Sequence, residues 1–169
     1  MKTVKLTHSL KKLPSTFFIL FYLSGCQIIS SPAVRHLERA EELTRQNDLD
    51  GAISEYQAHM TYRLSLEKRP NWENPYFYLL LVGDLKLKQA KPEEALKFYA
   101  EAQDKGIDKS LISDRYRMVG YWYEEQGDLQ KALEFLERNK ELDPMLFNPA
   151  LDRIAKAIVE KEREINSKR

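Results

Sequence analysis

The sequence holds little of the chemistry on which enzymes depend. Cys26 is the single cysteine among 169 residues, so no disulfide can form within the chain, and only three histidines are present. No HExxH-like pattern and no cysteine–histidine spacing supplies the roughly four ligands of a zinc site. A nucleophile elbow, a Walker loop and a dinucleotide-binding glycine pattern are missing as well. These absences argue against an enzyme and predict neither a metal nor another cofactor.

The remaining polar residues do not form a catalytic set. His36 and His59 have no neighbouring ligand pattern, so we interpret both as helix-face residues. Glu124 and Glu125 are consecutive, and consecutive helical residues point about 100° apart. Their carboxylates are therefore not expected to converge on one substrate.

Long apolar runs are also missing. A membrane-spanning helix needs about 20 apolar residues, and the apolar run near the start of the chain is much shorter. The short run Phe17–Leu23 follows four lysines, and no acidic residue occurs before Glu38. With small residues at Ser24 and Gly25 just before Cys26, this layout is typical of a secretory signal peptide. The alternative, a core helix with an incidental buried cysteine, leaves the lysine-rich start unexplained.

The segment Leu23-Ser24-Gly25-Cys26 resembles the lipobox of bacterial lipoproteins. The resemblance implies that the Cys26 thiol receives a diacylglycerol and that residues 1–25 are then removed, leaving residues 26–32 as a lipidated tether. Gln27 stands where enteric-type bacteria place aspartate to retain a lipoprotein in the inner membrane. The resemblance therefore implies attachment to the outer membrane, with the protein facing the periplasm.

Charge gives little support for nucleic-acid binding. The formal net charge of the whole chain is +1, and residues 1–25 hold four lysines and no acidic residue, so their removal leaves −3. Nucleic-acid-binding proteins usually carry a concentrated basic patch, whereas the charges here are interleaved in sign.

A short pattern of a turn followed by a helical alanine recurs three times. The alanines are Ala52, Ala95 and Ala132, and the residues four positions later are Tyr56, Tyr99 and Leu136. An alanine lets two helices approach closely, and a large residue one turn later fills the adjoining gap.

This pattern resembles the tetratricopeptide repeat, a helix-turn-helix unit of about 34 residues. The third copy fits best, with Tyr116, Val119, Gly120 and Tyr123 at first-helix signature positions. The resemblance covers residues 33–146 and implies an all-α, TPR-like solenoid of about three antiparallel helix pairs. Residues 147–169, with apolar residues at helical spacing and a charged outer face, are predicted to form a C-terminal capping helix.

Local signals agree with this fold. Asn74-Pro75 and Asn148-Pro149 each offer an N-cap side chain followed by a proline at the first helical position. Gly106 and Gly127 stand where helices should end. We expect Pro70 to end a long second helix.

The resemblance implies a groove that takes extended or helical peptides along the first helices of successive units. The matching positions are Leu37, Glu41, Phe77, Leu80, Asp84, Arg117, Tyr121 and Glu124. Chaperone-binding members of the family hold a terminal carboxylate with a lysine and asparagine clamp, and that pattern is absent here. The resemblance thus favours a partner segment of mixed apolar and charged character.

The apolar run Tyr76–Val82 has two interpretations, since seven consecutive large residues cover every side of a helix. In one, the helix is buried on several sides. In the other, Phe77 and Leu80 form an exposed patch for a partner.

We therefore interpret the chain as a membrane-anchored, non-catalytic adaptor for a protein or peptide partner. Known TPR-like lipoproteins serve outer-membrane protein insertion, pilus or secretin assembly, and control of cell-wall synthesis. The alternative is a self-associating structural lipoprotein that dimerises through the Tyr76–Val82 helix. A third interpretation, an enzyme that processes the cell wall, would be supported only if the purified protein degraded peptidoglycan.

Overall fold

Short turns divide the structure into helices that pack in pairs. The computed structural model describes residues 31–168, so Cys26, the expected signal peptide and residues 26–30 of the tether lie outside the described residues. Across 31–168 the chain forms α-helices and short 3₁₀ turns, without strands. The α-helices are α1 (Pro32–Arg45), α2 (Leu49–Ser65), α3 (Tyr78–Lys88), α4 (Pro92–Asp104), α5 (Lys109–Glu125), α6 (Leu129–Asn139) and α7 (Pro144–Ser167). The 3₁₀ turns Pro75–Phe77 and Lys140–Leu142 precede α3 and α7.

The helices follow one another in a regular order. The pairs are α1 with α2, α3 with α4, and α5 with α6, and each second helix packs on the element that follows it. In addition, α3 contacts α5 and α5 contacts α7, so these three helices lie in sequence along one side of the solenoid. This is the TPR-like solenoid of three helix pairs with a C-terminal helix that the sequence predicts.

The three repeated turns share one backbone conformation. Asn47, Ala90 and Gly127 have φ angles of 61°, 61° and 77°. In each turn the following amide donates to a carbonyl five residues earlier, at N···O distances of 2.9, 3.0 and 3.1 Å. A left-handed residue followed by this hydrogen bond is the Schellman ending of a helix. The helices α1, α3 and α5 therefore end in the same way, and the predicted stop at Gly127 is confirmed.

The repeated small and large residues form the core between the helices of a pair. Ala52, Ala95 and Ala132 are fully buried, as are Tyr99 and Leu136. A continuous cluster of buried side chains extends from α3 to α7, and a smaller one joins α1, α2 and α3. This burial agrees with the prediction that the alanines let the two helices of a pair approach closely.

Helix α3 is buried on several sides, because α2, α4 and α5 all pack against it. Leu79, Leu80 and Val82 have exposed fractions of 2%, 0% and 1%. Phe77, which precedes the helix, is 37% exposed. The core interpretation of the Tyr76–Val82 run is thus correct for the helix, and only Phe77 retains the exposure that a partner patch requires.

Two predicted helix ends are wrong. Helix α2 ends at Ser65, ahead of Pro70, because Leu66 already adopts an extended backbone with ψ of 129°. Helix α7 begins at Pro144, where the Asp143 side chain accepts a hydrogen bond from the Leu146 amide, so Asn148 is not its N-cap.

Candidate partner-binding groove

Polar side chains link the three neighbouring helices α3, α5 and α7. The network contains three arginines and three carboxylates, together with two tyrosine hydroxyls. Its members are Asp84 and Tyr99 from the second pair, Asp114, Arg115, Arg117, Tyr121 and Glu124 from α5, and Arg153 from α7. We call this surface the α3–α5–α7 face.

Asp84 connects the second pair to the third. Its Oδ1 accepts a hydrogen bond from the Tyr99 hydroxyl at 2.9 Å, and its Oδ2 accepts one from Arg115 Nη2 at 3.2 Å. Burial, with the nearby Asp84 charge adding to it, raises the pKa of the Tyr99 hydroxyl, which therefore stays protonated and donates. Asp84 is thus held in place by two neighbours and is half-buried.

Tyr121 is the centre of the face, because an arginine lies over its ring from each of two helices. The Cζ atoms of Arg117 and Arg153 are each 4.8 Å from the centroid of the ring. Arg117 Nη1 also donates to the Tyr121 hydroxyl at 2.8 Å. Such cation–π contacts orient both guanidinium groups and leave the half-buried tyrosine in a fixed position.

Carboxylates hold the two arginines from outside this stack. Arg117 Nη2 donates to Asp114 Oδ1, one helical turn earlier. Arg153 binds both oxygens of Glu124, and its Nε lies 3.1 Å from Glu124 Oε1. Hydrogen bonds to these carboxylates raise the pKa of both guanidinium groups, so both remain charged. The side chain of Arg153 is 52% exposed and can therefore contact a ligand.

Four of the predicted groove residues come together in this network: Asp84, Arg117, Tyr121 and Glu124. Leu80 does not face a groove; it is completely buried, since α3 is covered by three other helices. That prediction is corrected. Phe77 lies in another place, on the wall of a surface pocket formed with residues near the start of α1.

Leu37 and Glu41 lie on α1 and do not join the network. Leu37 is half-buried and apolar, and Glu41 is exposed and forms no side-chain hydrogen bond with another described residue. The first pair connects to the rest of the solenoid through α2, which packs on α3.

Sequence reasoning missed the other four members of the network, among them Tyr99, which the repeat predicts only as a residue that fills the gap between helices. Asp114 and Arg115 belong to α5, and the spacing of three between Asp114 and Arg117 is a signal for a contact within a helix. Arg153 belongs to α7, which was interpreted only as a cap. Nothing in the local sequence pattern links Arg153 to Glu124, 29 positions earlier.

Two further properties of the described region concern its chemistry. Within 31–168, histidine, cysteine and acidic side chains do not gather in a group of three or more that could hold a metal ion. Over the same range, every helix is too short or too polar to cross a membrane.

No family model and no curated protein sequence matches the chain. The chain is similar to the TPR2AB domain of yeast Sti1 in its pHSP90 complex, with 19% identity and a TM-score of 0.54. That match covers 79% of this chain, which spans half the length of the yeast protein chain. The N-terminal domain of stress-induced protein-1 from C. elegans is similar at 18% identity and a TM-score of 0.50, over 73% of this chain and 94% of that one. At these identities the likeness shows the TPR-like fold.

Proposed function

We propose that this protein is a membrane-anchored, non-catalytic adaptor lipoprotein that binds a protein or peptide partner in cell-envelope assembly. The TPR-like fold supports the binding activity, and the yeast Sti1 structure of similar fold is a complex with pHSP90. The envelope machinery concerned would be that of outer-membrane proteins, pili or secretins, or the cell wall.

The observation that carries the proposal is the stacked arrangement of Arg117, Tyr121 and Arg153. Two helices place these groups in fixed positions on one face, and the Arg153 side chain is 52% exposed. Fixed aromatic and arginine side chains are the residue types that contribute most to binding at protein interfaces.

The charges of the face indicate the kind of segment that it binds. Its three arginines are balanced by three carboxylates. A strongly acidic or strongly basic peptide would meet like charges, which disfavours binding. A segment of mixed apolar and charged residues therefore fits best. The lysine and asparagine clamp for a terminal carboxylate is absent, and Leu80, one of the equivalent positions, is buried.

The proposed anchor depends on the lipobox-like Leu23–Cys26, which lies outside the described residues. A protein with two or three acyl chains stays attached to a membrane, whereas one chain gives only marginal binding. We infer that Cys26 holds the domain at the periplasmic side of the outer membrane. Cys26→Ser should abolish the lipid-bearing N-terminal peptide in mass spectrometry. A wild-type protein without lipid would contradict the anchor.

Affinity capture from cross-linked envelopes tests the adaptor function. Wild type, Tyr121→Ala and Glu125→Ala would be compared, with folding checked by circular dichroism. Glu125 is the exposed last residue of the same helix and serves as the matched control. We expect the captured partner to be lost with Tyr121→Ala and kept with Glu125→Ala. An unchanged capture profile for Tyr121→Ala would contradict the groove assignment.

The burial of the Tyr76–Val82 helix argues against the alternative, a homodimer that this helix closes. Leu79, Leu80 and Val82 are buried within one chain, so they are not available to a second copy. Sedimentation of the protein at several concentrations would decide the matter, since a tight dimer at low concentration favours the alternative.

A further inference from the structure

Three exposed apolar side chains lie together at the end of the molecule where the described chain begins. Val34, Trp72 and Phe77 have exposed fractions of 43%, 85% and 37%. All three line one surface pocket of about 490 Å³. We call them the Trp72 patch. Exposed apolar side chains that lie together, unlike singly scattered ones, are a feature of interaction sites.

The two residues that follow Trp72 are fixed by hydrogen bonds to other parts of the fold. The Glu73 carboxylate accepts two hydrogen bonds from Arg63, one of them from Nε at 2.6 Å. Asn74 Nδ2 donates to the Lys105 carbonyl oxygen at 3.0 Å. Trp72 therefore projects into solvent from a held backbone, and burial in the core does not explain its presence.

The position of the patch relative to Cys26 identifies what covers it. Ser31 lines the same pocket and is five residues from Cys26. A fully extended chain of five residues spans at most about 18 Å. If Cys26 is lipidated, Ser31 and the pocket wall beside it are therefore held within that distance of the bilayer.

Two exposed cations precede Trp72 in the chain. Lys68 and Arg69 are exposed, and the acidic residues nearby are Glu67, which comes before them and is exposed, and Asp108, which lines the pocket. The acidic residue that follows, Glu73, is already bound by Arg63. Basic residues beside tryptophan and phenylalanine favour binding to anionic headgroups, and tryptophan is enriched at the membrane–water interface.

We propose that the Trp72 patch docks this domain on the surface of the lipid bilayer, with the Trp72 indole in the headgroup region. This inference depends on the proposed lipid anchor at Cys26. Docking would set the orientation of the solenoid on the membrane, which a tether alone does not.

Tryptophan fluorescence gives a direct test, because the chain contains only two tryptophans. Trp122→Phe leaves Trp72 as the sole reporter, and Trp72→Phe leaves Trp122, which is half-buried against Tyr123. Each full-length variant, produced with its own signal, would be reconstituted in vesicles of phosphatidylethanolamine and phosphatidylglycerol. Lipids brominated near the headgroup or near the chain end would serve as quenchers. Mass spectrometry would first establish whether Cys26 carries lipid.

We expect Trp72 emission to shift to shorter wavelength and to be quenched most by bromine near the headgroup, with Trp122 unaffected. Equal, weak quenching of both reporters in lipidated protein would overturn the docking and leave the anchor intact. Stronger quenching of Trp72 by chain-end bromine would also contradict an interfacial position. An unlipidated Cys26 would remove the anchor, and with it this inference, before any fluorescence is measured.

Discussion

Gly83 and Tyr99 pack so closely that a side chain on the glycine has no space. A Cβ atom at Gly83 would lie 2.3 Å from Tyr99 Cε1, and one at Gly120 would lie 2.4 Å from Leu136 Cδ2. The two pairs of residues occupy equivalent positions in successive helix pairs. The contact between glycine and the large residue of the second helix thus sets how closely each pair packs.

Gly83→Ala should therefore destabilise the protein although alanine is the better helix former. Alanine gains about 1 kcal/mol over glycine within a helix, whereas overpacking costs about 1–3 kcal/mol. We expect a net loss of up to about 2 kcal/mol in the free energy of unfolding, measured by urea denaturation.

The same substitution in a Tyr99→Ala background provides the control. The clashing ring atoms are then absent, so Gly83→Ala should become stabilising by about 1 kcal/mol. If Gly83→Ala lowers the free energy of unfolding equally in both backgrounds, the contact with Tyr99 is not the reason that position 83 requires glycine.

Ala90 has a strained backbone conformation, because it is an alanine with a positive φ angle. Its φ of 61° places an alanine in the left-handed region, which costs an L-residue about 1–2 kcal/mol. Ala90→Gly should stabilise the protein by about 1 kcal/mol, after the larger entropy of glycine in the unfolded chain is included.

Gly127→Ala is the reverse change at the equivalent turn, where φ is 77°. It should lower the free energy of unfolding by a similar amount. Thermal or urea unfolding would measure the stability of both variants relative to wild type. If the two substitutions changed stability in the same direction, the turns would not be equivalent.

The repeat could be predicted from the sequence because its signals are local. Each turn holds a left-handed residue and an alanine at a fixed distance, and the glycine at the end of α5 has the positive φ that was expected there. The ends of α2 and α7 could not be predicted. Pro70 limits how far α2 can extend but does not require that length, and Asp143-Pro144 offers the same start signal as Asn148-Pro149.

The candidate groove was predicted in part, for a related reason. Arg117, Tyr121 and Glu124 lie on one face of a single helix, so their spacing reveals their association. Leu80 occupies an equivalent sequence position but is covered by neighbouring helices. The part played by Arg153 arises only when α7 packs beside α5. Such contacts between distant segments leave no local pattern in the sequence.

His59 should make the stability of the protein depend on pH. Its side chain is 4% exposed, and its Nδ1 lies 2.9 Å from the Ala33 carbonyl oxygen, to which the N–H donates. Burial lowers the pKa of His59 in the folded state. Below about pH 6.5 the unfolded chain therefore binds the proton more readily than the folded one, and stability falls as the pH decreases.

His59→Gln keeps a donor for Ala33 but removes the titrating group. We expect the variant to lose less stability than wild type between about pH 7 and pH 5, the range over which histidine titrates. Urea denaturation across this range measures the difference. Equal slopes for the two proteins would show that His59 does not cause the dependence.

Leu80 and Tyr121 should separate folding from binding. Leu80 is fully buried in the cluster that joins α3 to α7, so Leu80→Ala should cost about 2–5 kcal/mol through lost burial and the cavity that it leaves. Tyr121 is half-buried and contacts two arginines. Each cation–π contact contributes about 0.5–1 kcal/mol at an exposed site, so Tyr121→Ala should cost no more than about 2 kcal/mol.

Partner capture should nevertheless disappear with Tyr121→Ala and persist with Leu80→Ala at temperatures where that variant remains folded. The opposite result, with capture lost only when Leu80 is changed, would contradict the assignment of Tyr121 to the partner-binding surface.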